Sequence, residues 1–191
     1  SARKYYAKSM AEQGGDDGQL KLFVNDYNLE SWWDDNKKLT SLIKWIELWE
    51  SDGVTKIDGI GSQMHISYNE KESDQQNLES HIVSMLKKMA ETGKLCRISE
   101  LDMGYNKADG TAAKLSEMTP EMEKKMEGFY KWIIEQYFAI IPANQQYGIT
   151  QWCLTDSPAG SGWRPDSPVG IWDLNWNRKY IYRGWTEGLS K

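Results

Sequence analysis

The residues best suited to chemistry stand in Cys96-Arg97-Ile98-Ser99-Glu100-Leu101-Asp102-Met103, an apolar stretch that ends in two carboxylates. Read as a strand, its alternation puts Cys96, Ile98, Glu100 and Asp102 on one side. An acid at the end of a buried strand is costly unless it is paired or used. Hydrolysis of a glycoside with retention uses two carboxyl groups about 5–5.5 Å apart, one attacking and one protonating the leaving oxygen. Glu100, on a rigid strand, suits the attacking role, and Asp102 lies further out on the same face to orient or polarise it. The competing reading makes Glu100 a structural carboxylate bonded to His65.

A second polar pair, Gln63 and His65, closes an apolar segment over residues 57–66. Together they could hydrogen-bond a carboxylate and a sugar hydroxyl, although a histidine on an apolar strand is also a common satisfied core residue. His81 falls mid-helix, solvated or packed. Trp152, Trp163 and Trp172 come from one strand end and its loop, where they either plug the core or wall a sugar-binding cleft. The run 157–162 before Trp163 has the composition of a rim loop.

Across the 191 residues there are 10 Trp and 10 Tyr against 3 Phe, a balance that suits stacking on sugar rings as well as ordinary packing. Hydrophobic content of 39% and charged content of 27% fit a globular chain with one sizeable core. The net charge of −5, with both signs interspersed, argues against a nucleic-acid partner. No apolar run is long enough to span a bilayer and no signal peptide opens the chain. Two histidines without metal-ligand spacing give no plausible zinc set, and Gly59-Ile60-Gly61 is not a dinucleotide turn, so no metal or cofactor is expected. Cys96 and Cys153 are expected to be free and buried.

These residues need elements to position them. A helix over 2–12 opens the chain abruptly, which suggests an excised or processed piece. After a turn at 14–18, an apolar strand over 20–28 precedes a helix over 36–51, in which Leu39, Leu42, Ile43, Ile46 and Trp49 recur at helical spacing. The strand over 57–66 precedes a helix over 74–92, striped by Leu78, Ile82, Met85, Leu86 and Met89. The Glu100 strand precedes a helix over 120–140, with Thr119 as cap, Pro120 in its first turn, and a buried face of Met122, Met126, Phe129, Ile133 and Tyr137. A strand over 147–154, a loop over 155–177 and a helix over 180–189 close the chain; Arg178, Lys179 and Trp185 there are expected to be structural. Four strand–helix units in series imply parallel strands, with the polar and aromatic residues gathered where each strand ends. That rim carries the active site in (β/α) barrels, though a full barrel takes about 250 residues.

In order along the chain, Asn25-Asp26-Tyr27-Asn28-Leu29-Glu30, Gly59-Ile60-Gly61-Ser62-Gln63-Met64-His65, Ile98-Ser99-Glu100-Leu101-Asp102, and Gly148-Ile149-Thr150-Gln151-Trp152 with Thr155-Asp156-Ser157 and Trp163-Arg164 resemble glycoside hydrolase family 10, the endo-β-1,4-xylanases. The resemblance implies a (β/α)8 TIM barrel that hydrolyses xylan or xylo-oligosaccharides with retention. Residues 1–191 would supply its carboxyl-terminal half, the last four βα units. It implies Glu100 as nucleophile, His65 and Asp102 bonded beside it, and Gln63 and Trp152 on the sugar at the cleavage subsite. Trp163 would cover the non-reducing side, with Asn25 and Tyr27 toward the leaving group. The family's acid/base glutamate follows an asparagine at the end of its fourth strand, a unit expected to lie outside this piece. The piece alone is therefore expected to be inactive or nearly so, and to pair with the other half of the barrel or with a second copy. A secreted, periplasmic or cell-surface location follows from the substrate. The alternatives are a retaining glycanase on another β-1,4 polymer and a carbohydrate-binding protein without hydrolysis.

Overall fold

The computed structural model describes residues 2–14 and 20–190. Most of the turn expected at 14–18 lies outside the described residues. Ten elements follow in order: α1 (Ala2–Glu12), β1 (Phe23–Asp26), α2 (Lys37–Glu50), β2 (Gly59–Ser62), β3 (His65–Asn69), α3 (Glu72–Glu91), β4 (Leu95–Asn106), α4 (Pro120–Ile140), β5 (Gln146–Gln151) and α5 (Tyr180–Leu189). All strand pairs are parallel. β4 lies at the centre, with β2 and then β1 on one side and β5 on the other, and β3 takes over from β2 beside the upper part of β4. These are the four strand–helix units that the sequence pattern implies.

Two expectations about the strands need correction. The segment 57–66 is two strands rather than one. Met64 sits in the left-handed region at φ 64°, the Gln63 N–H donates to the Asp26 carbonyl (2.9 Å), and the Gln63 carbonyl accepts the Glu100 N–H (3.1 Å). The chain thus steps from one stretch of β4 to the next.

Simple alternation along β4 also fails. Ser62 pairs with Ile98 and His65 with Asp102, so two residues on one side face three on β4; against β5, Ile149 and Gln151 pair with Ile98 and Leu101. Both neighbours place one extra residue in β4 at Ser99–Glu100. A bulge of this kind reverses the facing of everything beyond it. Cys96 and Ile98 join Leu101, Met103 and Tyr105 in the core, whereas Ser99 and Glu100, adjacent in sequence, both reach Asn25.

The helices form for the reasons their patterns give. The Thr119 hydroxyl caps α4 by accepting the Met122 N–H (3.3 Å), with Pro120, Glu121 and Glu123 in the first turn, where fixed φ and negative charge both favour a helix start. All five apolar residues expected for α3 are buried; on α4, Met126, Phe129, Ile133 and Tyr137 are buried and Met122 is partly so. On α2, of the five apolar residues at helical spacing, Leu39 and Ile46 are buried, and Trp49 is exposed and stacks on Trp45. α5 meets α4 closely because a side chain at Gly184 would lie 2.3 Å from the Glu127 carbonyl oxygen. Trp185 of α5 donates its indole N–H to Gln151 at the end of β5 (2.9 Å).

Glu30 is a charge-bearing group inside this packing. It is buried and accepts from the Ser62 hydroxyl (3.2 Å) behind the first two strands. Burial pushes its carboxyl up from 4.5 to about 7, only partly offset by hydrogen bonds from its own backbone and Ser62. Because the folded value is raised, the stabilisation is fully present below pH 4.5 and lost as pH rises through about 7. The Glu30→Gln chain should therefore gain on its parent between pH 4.5 and 8, by up to about 3 kcal/mol. Urea unfolding at a series of pH values measures that gap, and a gap independent of pH would exclude the assignment.

Candidate active site

Glu100 sits in the bulge, with a fifth of its side chain exposed. Its Oε1 accepts from Asn25 Nδ2 (3.2 Å), and Oε2 lies 3.4 Å from His65 Nε2. The Asn25 amide is oriented by the Ser99 hydroxyl, which donates to its Oδ1 (2.6 Å). There is room for it because residue 61 is glycine: a Cβ there would stand 2.3 Å from that oxygen. β1, β2 and β4 thus meet around one carboxylate.

Behind Glu100, His65 Nδ1 approaches Asp102 Oδ2 to 3.2 Å. Asp102 is fully buried. Its Oδ1 accepts from Arg164 Nη1 (2.7 Å) and its Oδ2 from Trp163 Nε1 (2.8 Å). The Cys153 thiol points at the same Oδ2 from 3.8 Å. Cys153 is only partly buried, against the expectation; burial first and the charge of Asp102 second push its thiol up to about 11, so it stays protonated. The His65 ring is held edge-on by Trp163 (centroids 4.5 Å apart) and Trp152 (6.1 Å). Both tryptophans keep about half of their surface open, and the Trp152 N–H donates to the Leu101 carbonyl (3.0 Å).

Seven of the eight residues singled out from the sequence therefore gather here: Glu100, His65, Asp102, Asn25, Trp152 and Trp163 through side chains, and Gln63 through its backbone carbonyl on the Glu100 N–H. Tyr27 does not contact Glu100. Its ring is exposed, and Lys38 Nζ lies over it at 3.4 Å while bonding Asp26 (2.8 Å) and the Tyr27 carbonyl (2.7 Å). Ser99 and Arg164 were given no role from the sequence. The signal for Arg164 was a lone cation following a tryptophan in a loop of small residues, which needs a carboxylate partner. Among the described residues, no group of three or more His, Cys, Asp or Glu is arranged to hold a metal.

The loop that carries Trp163 and Arg164 is tied down at its base as well. Asp156, buried, accepts from the Gly170 N–H (3.0 Å) and from Lys179 Nζ (2.6 Å), which also reaches the Pro168 carbonyl. Burial raises the Asp156 carboxyl, and the Lys179 charge opposes it.

The family model for glycosyl hydrolase family 10 matches residues 5–187. The chain belongs to that family. It is 27% identical over 187 residues to endo-beta-1,4-xylanase Xyn10C of Cellvibrio japonicus, covering 91% of this chain and 29% of that protein. It is 30% identical over 154 residues to endo-1,4-beta-xylanase A of Caldicellulosiruptor saccharolyticus, covering 80% and 40%. Among solved structures, it superposes on xylanase 10C from Cellvibrio japonicus in complex with xylopentaose with a TM-score of 0.72 at 24% identity, over 98% of this chain and 36% of that one. A Thermobacillus composti family 10 xylanase gives 0.70 at 20% identity, over 97% and 57%. The chain thus spans well under two thirds of these relatives, and its parallel sheet and helices are four βα units of the (β/α)8 fold.

With Lys179 replaced, Asp156 would be left buried without its cation. Lys179→Met should destabilise the fold by about 3–5 kcal/mol, with part recovered in Lys179→Met/Asp156→Asn. Both are read by urea unfolding, and a loss below about 1 kcal/mol would show that the pair does not anchor the loop.

Proposed function

We propose that this chain carries the nucleophile side of a retaining endo-1,4-β-xylanase. Glu100 Oε2 or Oε1 attacks the anomeric carbon of a xylosyl unit and the glycosidic oxygen leaves, giving a glycosyl-enzyme that water then hydrolyses. The observation that carries the reading is the setting of Glu100: a partly open carboxylate bonded by Asn25 and 3.4 Å from His65, whose ring meets two half-exposed tryptophans. The Asn25 amide orients it, His65 lies against its other oxygen, and the ring of His65 is packed by Trp163 beside the buried Asp102. Trp152 and Gln63 meet the sugar at the cleavage subsite, Trp163 covers the non-reducing side, and Asn25 and Tyr27 lie toward the leaving group. No metal or cofactor enters this mechanism.

Asp102 is not the acid. It has no exposure, and both of its oxygens already accept hydrogen bonds from cations or N–H donors. The proton donor, about 5–5.5 Å from Glu100 in a retaining enzyme, comes in this reading from the barrel segment that the chain does not span. The same argument assigns the partner: the other four βα units, covering the free edges of β1 and β5. A xylanase relative of known structure binds xylopentaose, which supports a xylo-oligosaccharide as ligand. Xylan is a polymer met outside the cell, so we assign the parent protein there; among the described residues no helix is long and apolar enough to cross a membrane. One relative, 29% identical, is an exoglucanase of Acetivibrio thermocellus, so retaining action on another β-1,4-linked polymer is the second reading.

In the completed barrel, a 2-deoxy-2-fluoro-xylobioside should label Glu100 alone, as peptide mass spectrometry would show, and Glu100→Ala should abolish labelling and lower turnover by at least 10³-fold. Labelling at another carboxylate would overturn the assignment. The isolated 191-residue chain should give no burst and no sustained release of product from xylohexaose. Robust turnover by that chain would refute the placement of the acid elsewhere.

A further inference from the structure

We propose that Arg164 is a positioning residue that locks the Trp163 loop and the His65–Asp102 support of the nucleophile into one rigid unit. The inference rests on the reading of Glu100 as nucleophile for its catalytic meaning, and on the geometry alone for the lock itself.

One guanidinium joins three segments. Arg164 Nη1 donates to Asp102 Oδ1 on β4 (2.7 Å) and to the Ile66 carbonyl on β3 (2.8 Å), and Nη2 donates to the Ser67 hydroxyl (2.8 Å). Ile66 is the residue after His65, so the same group fixes the strand that carries the imidazole and the carboxylate beside it. Arg164 is itself held in the left-handed region, φ 42°, directly after Trp163. Its neighbour on the chain donates to the other oxygen of the same carboxylate (2.8 Å). Asp102 is therefore gripped at both oxygens by two consecutive residues of one loop, and that grip sets its rotation toward His65.

The grip depends on an empty place in the strand. A Cβ at Gly104 would stand 2.4 Å from Arg164 Nη2 and 3.1 Å from the Ser67 hydroxyl. Glycine weakens a strand interior, so its presence marks a close approach, here of the guanidinium. A lysine would keep the charge and lose the planar fork that serves two strands together. Because Trp163 spends its N–H on Asp102, it offers a sugar only its ring face, and the lock decides where that face stands.

The chain has 10 tryptophans and 2 histidines, so indole N–H and imidazole ¹⁵N signals can be assigned with Trp163→Phe and His81→Gln. In the parent chain, the Trp163 indole proton should exchange slowly. In Arg164→Met it should exchange about tenfold faster or more, and the His65 ¹⁵N shifts should move in the same sample. Arg164→Lys should fall between the two. Gly104→Ala keeps the charge but displaces the guanidinium and should behave like Arg164→Met. Should Arg164→Met fail to fold, Gly104→Ala and the milder Ser67→Ala, with a smaller acceleration, decide the matter. Unchanged indole exchange in a folded variant would overturn the proposal, and so would faster Trp163 exchange with His65 unmoved. Neither readout involves turnover, so failure here leaves the labelling test at Glu100 standing, and failure there leaves the lock standing.

Discussion

A carboxylate with no exposure must be met at both oxygens, and the buried charge of Asp102 imposes that condition on this site. An uncompensated ion at such depth would cost several kcal/mol, more than most single packing contacts return. The fold meets it with an arginine and an indole N–H from one loop, and sets an imidazole nitrogen 3.2 Å away. Each group has its own duty: the indole belongs to a ring open to the cleft, the imidazole to the residue that faces Glu100, and the guanidinium to the seam between β3 and β4. Satisfying one buried charge thereby orients the groups that would touch substrate, and it removes Asp102 from any role in proton donation.

The bulge in β4 is the backbone counterpart of that arrangement. With strict alternation, Glu100 and Asp102 would follow Cys96 and Ile98 into the packed layer, where two carboxylates have no place. One extra residue at Ser99–Glu100 turns Glu100 to the open side and Asp102 toward Trp163 and Arg164, and lets Leu101, Met103 and Tyr105 continue the core. The same step leaves a span that β2 cannot match, which is filled by the turn at Gln63–Met64, and it brings the Gln63 carbonyl onto the Glu100 N–H. Bulge and strand break are one accommodation seen from two strands.

The long segment after β5 has little regular structure, and a loop of that length is ordered only when something other than backbone ladders fixes it. Two buried acids do so. Asp156 holds its base through Lys179 and the Gly170 N–H, and Asp102 holds its tip through Trp163 and Arg164. The glycine at position 170 is required by contact as well: a side chain there would lie 2.0 Å from the Thr155 carbonyl carbon. Between these anchors the 157–162 run is bound to the backbone of the ring it precedes: the Ser157 and Ser161 hydroxyls donate to the Trp163 carbonyl (2.6 and 2.9 Å).

Much of this was legible in the residues. Apolar periodicity fixes a helix by itself, so α3 and α4 could be read with their buried faces, and Thr119-Pro120 announces where α4 begins. The four strand–helix units, their parallel order and the gathering of Glu100, His65, Asp102 and the tryptophans at the strand ends followed from the same local patterns and from the motif resemblance. What local pattern could not supply was anything settled between strands. Alternation assumes one residue per step, and only the hydrogen-bond register of β2, β3 and β5 against β4 reveals the extra one. Trp49 carries the right spacing for burial, yet whether a neighbour covers it depends on what packs against α2. Arg164 reads as an ordinary loop cation until the fold brings a buried carboxylate 62 positions away in sequence to 2.7 Å. The sequence by itself determined which segments are helix or strand and which groups could react, because those depend on neighbours along the chain. Tertiary structure decided their facing and their partners, because a buried charge chooses whichever donor the packing brings within reach.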